Sequence, residues 1–402
     1  MSIIEKLSGK KLLLWGYGRE GKSTEKFIKS HCHDFELMVY EGKNLEEAQE
    51  YDYIIKSPGI PYFTEDERVI SQTSLFLEEF SGQTIGITGT KGKSTTTSML
   101  FSVLEHCGKD VLLVGNIGLP CLDYYDSMKE GTIAVFEMSC HQLALLRQSP
   151  HIAVLLNIFE DHLDYYHTME RYADAKYNIL RHQKPGDIGL VNAGISLPFS
   201  TDSRWIRLTP PVEGEEEKFA LSIVGHCHQY NAQVVYEIAA GILGLPEQEV
   251  RSAMQAFHGL RHRLEKIGTC DGVDYYDDSI STICESAVQA MESVENIDTI
   301  LIGGLDRGID YTILTEYLKC NNMVKTICMY ESGEKIYHMI EGRPDTWLCR
   351  DLSEAVAKAK EITRRGGACV LSPAAASYGY FKNFEERGDK FKELVFGSDS
   401  LS

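Results

Sequence analysis

Short apolar runs alternate along the chain with stretches in which apolar residues recur every three or four positions, the pattern of parallel strands joined by helices. Three blocks emerge. The first, residues 1–80, has candidate strands in KLLLW, ELMVY and YIIK, with a helix between the first two. The second, residues 81–260, opens with QTIGIT and runs through DVLLVG, TIAVFE, HIAVLL and DIGLVN. There NAQVVYEIAAGILGL reads as an apolar-periodic helix, and PEQEVRSAMQAF as another with Pro246 at its start. The third, residues 261–402, begins near LEKIGTCDGVDYYDDS and carries TILIGG, KTICMY and ACVLSP. The pattern predicts an α/β protein of several domains built on mostly parallel sheets. The segment PPVEGEEEKF, residues 210–219, reads as a solvated acidic loop.

Composition narrows this picture. At 402 residues the chain exceeds one ordinary core, and 43% hydrophobic with 25% charged residues is the balance of a folded globular protein. No apolar run approaches the roughly 18 residues needed to cross a bilayer, and MSIIEKLSGKK lacks the apolar core of a signal peptide. A cytoplasmic protein without membrane insertion is expected. The 11 cysteines show no CxxC pair and read as reduced thiols. A formal charge of −19 argues against a broad nucleic-acid face, since phosphate contacts need clustered Lys and Arg. The two HCH triplets lack a second pair of ligands at finger spacing and do not read as structural zinc.

Two glycine-rich turns carry the candidate chemistry. GITGTKGKSTTT follows a predicted strand and leads into a helix expected to begin at Ser94 or Thr95. Gly89 and Gly92 allow the backbone to approach phosphates, Lys93 can meet β and γ oxygens, and the Ser94 hydroxyl can hold Mg²⁺. The first glycine of the usual pattern is Ile87, but strand, loop and helix are all in place. The earlier GYGREGKST satisfies GxGxxG through Gly16, Gly18 and Gly21, with Glu41 placed to serve as a ribose acid. No second dehydrogenase half follows it. Its Lys22 and Ser23 come after a glycine already inside the helix, so the turn reads as Rossmann-like, holding a phosphate other than that of NAD or ATP.

In open α/β sheets ligands sit beyond the carboxyl ends of the strands. The central block places Ser94, Glu137 and His162 there, a hydroxyl, a carboxylate and an imidazole suited to a magnesium and phosphate shell. In HTMERYADAKYNIL the apolar stripe runs Met169, Tyr172, Ala173, Ile179 and Leu180, which puts Lys176 on the core-facing side. Burying an ammonium requires a remedy. Either Asp161 or Glu137 pairs with it, or the neutral amine takes up carbon dioxide and becomes a metal-binding carbamate.

GITGTKGKSTTT, VGNIGLP, FEMSCHQL, NIFEDHLDYYHTMERYADAK, GLRHRLE, DDSISTI, LIGGLDRGID and LSPAAASYGYFKNFEERGDKF together resemble the Mur ligases of peptidoglycan synthesis over nearly the whole chain. Of that family the D-glutamate-adding branch is the most similar. The resemblance implies three domains: a Rossmann-like one for UDP-N-acetylmuramoyl-L-alanine, a central P-loop ATPase, and a Rossmann-like one for glutamate. It implies a monomeric ligase that uses ATP and two Mg²⁺ and passes through an acyl phosphate. Gly16, Tyr17, Gly18, Ser57, Pro58, Gly59 and Asn116 would face the sugar nucleotide. Gly89, Thr90, Lys91, Gly92, Lys93, Ser94 and Thr95, with Asn231, Arg263 and Asp278, would bind ATP. Ser94 and Glu137 would hold the first Mg²⁺, and His162 with a carbamylated Lys176 the second. Thr282, Arg307, Ser377 and Phe384 would line the amino-acid pocket.

The chain departs from that family at several places. Where the family usually reads DSKATN this chain reads DSISTI, so its lysine and asparagine are Ile280 and Ile283. The second usual lysine is Arg307, a guanidinium able to grip a carboxylate bidentately. His141 stands where an aromatic Phe is common. These changes cluster near the amine and leave carboxylate activation the firmer expectation.

Overall fold

The computed structural model of the chain describes residues 2–42, 45, 50–64, 66–117, 119–212, 218–223 and 227–397. The acidic stretch at 213–217 lies outside them. The chain divides into two compact units, one of Met1–Ala220 with His226–Gln255 and one of Leu221–Gly225 with Ala256–Ser402.

Two sheets form the first unit. Strands β1 (Lys11–Trp15), β2 (Glu36–Tyr40), β3 (Tyr53–Lys56) and β4 (Val69–Ile70) lie in the order β2-β1-β3-β4 and pair in parallel. The second sheet holds β5 (Thr84–Thr88), β6 (Val111–Gly115), β7 (Ile133–Glu137), β8 (Ile152–Leu155), β9 (Ile188–Asn192) and β10 (Arg204–Leu208). Its order, β10-β9-β8-β5-β7-β6, is parallel throughout and reverses direction about β5. That reversal opens a crevice beyond the carboxyl end of β5, where the phosphate loop begins.

The local reasons are plain. All five residues of β5 are buried, as expected for a strand covered by helices on both faces. The helix Arg19–His31 turns Phe27 and Ile28 inward. They join Leu12, Leu14, Ile55, Phe76, Val114 and Phe136 in one core that spans both sheets. Each fully buried side chain of this kind contributes about 1.5–3 kcal/mol.

The second unit carries β11 (Glu265–Cys270), β12 (Val273–Asp277), β13 (Ile297–Ile302), β14 (Lys325–Met329), β15 (Thr346–Cys349) and β16 (Ala368–Leu371). Its order is β11-β12-β16-β13-β14-β15, with only the β11–β12 pair antiparallel. The α/β class with mostly parallel sheets is as the apolar runs indicate. The runs did not mark β4, β10, β11, β12 or β15 as strands. RWIRL in β10 and TWLC in β15 are sheet-edge strands whose residues are partly exposed, so they lack a continuous apolar signature. Two helix readings shift as well. The helix after the phosphate loop begins at Lys93, and the NAQVVYEIAAGILGL helix changes to π geometry over Glu237–Ile242.

Candidate active site

A cavity of about 590 Å³ in the first unit is lined by residues from seven segments of the chain. They include Gly16, Gly18, Arg19 and Glu20 of the first glycine turn and Ser57 to Ile60 of the turn after β3. Lys93, Asn116, His141, Gln142, His162, Tyr172 and Lys176 complete most of the wall.

The first turn is set by its glycines. A Cβ on Gly21 would stand 2.3 Å from the Gly16 carbonyl oxygen, so the helix Arg19–His31 can approach β1 this closely only with glycine there. Ser57 Oγ donates to the Gly16 carbonyl at 2.9 Å and locks the second turn against the first. The N-terminal end of that helix therefore faces the cavity through Gly18, Arg19 and Glu20. Tyr17 does not line the cavity. Its hydroxyl bonds Glu25 and its ring lies under Lys22, on the flank of the helix.

The second loop is held by Asn157, just past β8. Asn157 Oδ1 accepts from the Lys91 amide at 2.8 Å, and its carbonyl accepts from the Thr90 amide at 3.1 Å. Gly92 is the N-cap of the helix Lys93–His106 at φ +82°, where a Cβ would meet Asn231 Oδ1 at 2.7 Å. Asn231 is thereby placed beside the loop, and its Nδ2 lies 3.3 Å from His228 Nδ1. Lys93 Nζ folds back on its own loop, 3.0 Å from the carbonyls of Gly89 and Thr90. Ser94 is buried at the first turn of that helix. Thr95 lies on the same turn.

Glu137, the last residue of β7, is fully buried. Its Oε1 accepts from Asn116 Nδ2 at 2.9 Å, while Oε2 has no partner among the described residues. A buried carboxylate oxygen left over in this way suits a cation. His162 stands in left-handed backbone at φ +54° and caps the short helix Leu163–Tyr166.

Lys176 is 1% exposed, as its place in the stripe predicts, and of the two remedies the ion pair with Asp161 or Glu137 is not made. Nζ donates instead to the Gly89 carbonyl at 2.8 Å and sits 4.8 Å from the centre of the Tyr172 ring. A helix side chain reaching toward the phosphate loop meets backbone before it meets Asp161 or Glu137. Burial, reinforced by Lys93, lowers its pKa to about 8.

Sequence reasoning missed several lining residues. Glu20 is one: its Oε1 accepts from Gln142 Nε2 at 2.7 Å across 122 positions, and Oε2 is buried without a partner among the described residues. Burial pushes this carboxyl above its ordinary range. Outside the cavity lining, Lys56 is a further buried group, its pKa lowered to about 8 by burial, and it donates to the carbonyls of Ser57 at 3.1 Å and Ile60 at 2.7 Å. Gln142 had a legible signal, since Ser139-x-x-Gln142 is a capping box and both its bonds form. Glu20 had none.

In the second unit Thr282, Arg307 and Ser377 follow β12, β13 and β16, three neighbouring parallel strands, and so share one edge of the sheet. Leu305 and Ala376 form a bridge that draws two of these loops together. Phe384 starts the helix Phe384–Phe396, and its carbonyl accepts from Ser279 Oγ at 2.8 Å. Beneath them Arg387 is buried, with Nε on Ser279 Oγ at 3.0 Å and Nη2 on the Ala375 carbonyl at 3.0 Å. Asp278 is buried and bonded to Ser372 Oγ at 2.7 Å, and burial raises its pKa to about 7. Arg263 and Arg307 are exposed, whereas Ile280 is half-buried.

Comparison with known proteins agrees with this arrangement. The Mur ligase middle domain matches residues 87–203. The UDP-N-acetylmuramoylalanine-D-glutamate ligase of Aquifex aeolicus is 33% identical over 96% of this chain and 98% of its own. The UDP-N-acetylmuramoyl-L-alanine-L-glutamate ligase of Salinispora tropica is 29% identical over 98% of both chains. Among solved structures, the MurF ligase of Thermotoga maritima in complex with ADP shares the fold at a TM-score of 0.58 and 16% identity, covering 96% of this chain and 95% of that one. With a relative this similar aligned from end to end, the chain belongs to the Mur ligase family.

Proposed function

We propose that the chain is an ATP-dependent ligase that joins D-glutamate to the alanyl carboxylate of UDP-N-acetylmuramoyl-L-alanine. The observation that carries this reading is the single cavity shared by the first glycine turn, the Ser57–Ile60 turn, Lys93, His162 and Lys176. An acyl donor anchored by its diphosphate and a nucleotide anchored on the second loop would meet there. The name of the Aquifex relative supports the choice of D-glutamate.

The chemistry balances as one amide for one ATP. A carboxylate oxygen forms a bond to the γ-phosphorus while the β–γ bridging bond breaks and ADP leaves. The glutamate amine then attacks the acyl carbon and loses a proton, and phosphate departs from the tetrahedral adduct. Lys93 would exchange its two loop carbonyls for phosphoryl oxygens. Ser94 and Glu137 would hold one Mg²⁺, and His162 with a carbamylated Lys176 a second. Bound Mg²⁺ would offset the charge that builds where phosphoryl oxygens crowd together. The carbamate arises when the neutral Lys176 amine bonds carbon dioxide and releases a proton, which turns a costly buried cation into an anionic ligand. Gly16, Gly18, Ser57 to Gly59 and Asn116 would bind the uridine nucleotide, and Thr282, Arg307, Ser377 and Phe384 the incoming amino acid. The division into domains at 1–80, 81–260 and 261–402 would follow the three sheets.

A second reading uses the same acyl donor with L-glutamate or another amino acid. Ile280 and Ile283 at the edge of the second unit favour it, as does the likeness to the Salinispora ligase. The test is phosphate release from ATP with UDP-N-acetylmuramoyl-L-alanine, offering D-glutamate, L-glutamate and other amino acids separately, with product mass. Turnover with D-glutamate alone fits the first reading. Turnover only with another amine replaces it by the second, and absence of turnover with every amine leaves a precursor-binding protein.

A further inference from the structure

One side chain connects the Ser57–Ile60 turn to the imidazoles of the cavity. The Tyr165 hydroxyl lies 2.7 Å from the Ile60 carbonyl oxygen and 3.0 Å from that of Pro58, across 105 and 107 positions. The Tyr165 amide donates to the His162 carbonyl at 3.1 Å, so the residue also belongs to the helical turn that His162 caps. The Tyr165 ring meets His141 edge-on with centroids 4.3 Å apart, and His141 meets His162 in the same manner at 4.9 Å. Phe63 and Tyr166 hold the ring from other sides at 5.8 and 4.8 Å.

This arrangement does more than satisfy the turn. Lys56 already donates to the Ile60 carbonyl at 2.7 Å, so the turn has an inner fastening independent of Tyr165. The phenol is half-buried, and burial pushes its pKa up, which keeps the hydroxyl a donor. A carbonyl accepts two hydrogen bonds, and here one comes from beneath the turn and one from the helix bearing His162. Any shift of the turn on taking up a ligand is therefore felt by the ring that packs against His141.

We propose that Tyr165 is a positioning residue that couples the Ser57–Ile60 turn to the His141–His162 pair, so that a uridine diphosphate on the turn and an adenine nucleotide on the phosphate loop strengthen each other's binding. This rests on the assignment of the two ligands made above. The coupling is reciprocal: each ligand tightens the other by the same factor. The hydroxyl registers the turn, while the ring transmits its position to the imidazoles.

Calorimetric titration of the full chain with ADP and Mg²⁺, with and without saturating UDP, tests this. UDP lacks the acyl arm that would reach ADP directly, so any coupling between the two passes through the protein. In the parent chain UDP should tighten ADP by about fivefold or more, and ADP should tighten UDP equally. Tyr165→Phe keeps the ring and removes the hydroxyl; each ligand alone should bind within about twofold of the parent, with the coupling reduced to near one. His141→Phe, which keeps an aromatic ring against Tyr165 without touching the turn, should lower the coupling as well. Undiminished coupling in Tyr165→Phe, or none in the parent chain, overturns the inference. Failure of the parent chain to bind either ligand alone would instead overturn the proposed function.

Discussion

Lys176 Nζ donates to the Gly89 carbonyl across 2.8 Å, placing a buried ammonium on the backbone of the phosphate loop. No carboxylate lies within ion-pair distance of it among the described residues. A cation in this setting sits close to its neutral form, which is the form that reacts with carbon dioxide.

Lys176→Gln should therefore lower phosphate release at least about 100-fold while leaving the melting temperature unchanged or raised, because it deletes an unpaired buried charge. With ¹³C-labelled carbon dioxide the parent protein should give a carbamate carbon resonance that Lys176→Gln lacks. A parent protein without that resonance would rule the carbamate out.

Gly92→Ala should damage nucleotide binding more than the fold. The substitution puts a Cβ at φ +82° and 2.7 Å from Asn231 Oδ1, at a left-handed cost of about 1–2 kcal/mol. A modest fall in melting temperature with ADP affinity reduced at least about tenfold is expected by calorimetry. Unchanged ADP affinity would separate this loop from the nucleotide.

The Glu20–Gln142 bond predicts an asymmetry between its two partners. Gln142→Ala leaves a buried carboxyl without its 2.7 Å donor and should destabilise the chain by about 1–3 kcal/mol in urea. Glu20→Gln keeps an acceptor oxygen toward Gln142 and removes the ionisable group that burial disfavours, so it should cost less than Gln142→Ala above neutral pH. The reverse ranking would mean that Glu20 is held as an anion by groups other than Gln142.

Asp278 gives a signed pH dependence. Burial raises its pKa from 3.8 to about 7, so across that window the folded chain keeps a proton that the unfolded chain has lost. Its contribution to stability is full below pH 3.8 and falls as pH rises toward 7, by about 4 kcal/mol at most. Asp278→Asn should flatten the fall and gain stability relative to the parent at pH 8 compared with pH 5. Parallel melting curves for the two proteins over that range would contradict the assignment.

Much of the fold is legible because the information is local. Fully buried strands such as TIGIT and IAVL are apolar runs covered on both faces, and LEKIGTCDGVDYYDD shows how the signal fades where polar residues alternate in a hairpin. The glycine turns are legible in part for the same reason, since Gly21 answers the nearby Gly16 carbonyl and Gly92 its own left-handed backbone at φ +82°, whereas the Asn231 Oδ1 that crowds Gly92 comes from far along the chain. The core-facing side of Lys176 is a matter of helical period, and so the sequence by itself determined that this lysine is buried.

Tertiary structure alone decided what Lys176 touches, and it chose a backbone carbonyl from a loop 87 positions away over either candidate carboxylate. It also brought Glu20 onto Gln142 and Tyr165 onto Ile60. These partners follow from the strand order β10-β9-β8-β5-β7-β6 and from the packing of two sheets on one core. Periodicity fixes which face of an element is buried; only the order in which the elements assemble fixes what that face meets.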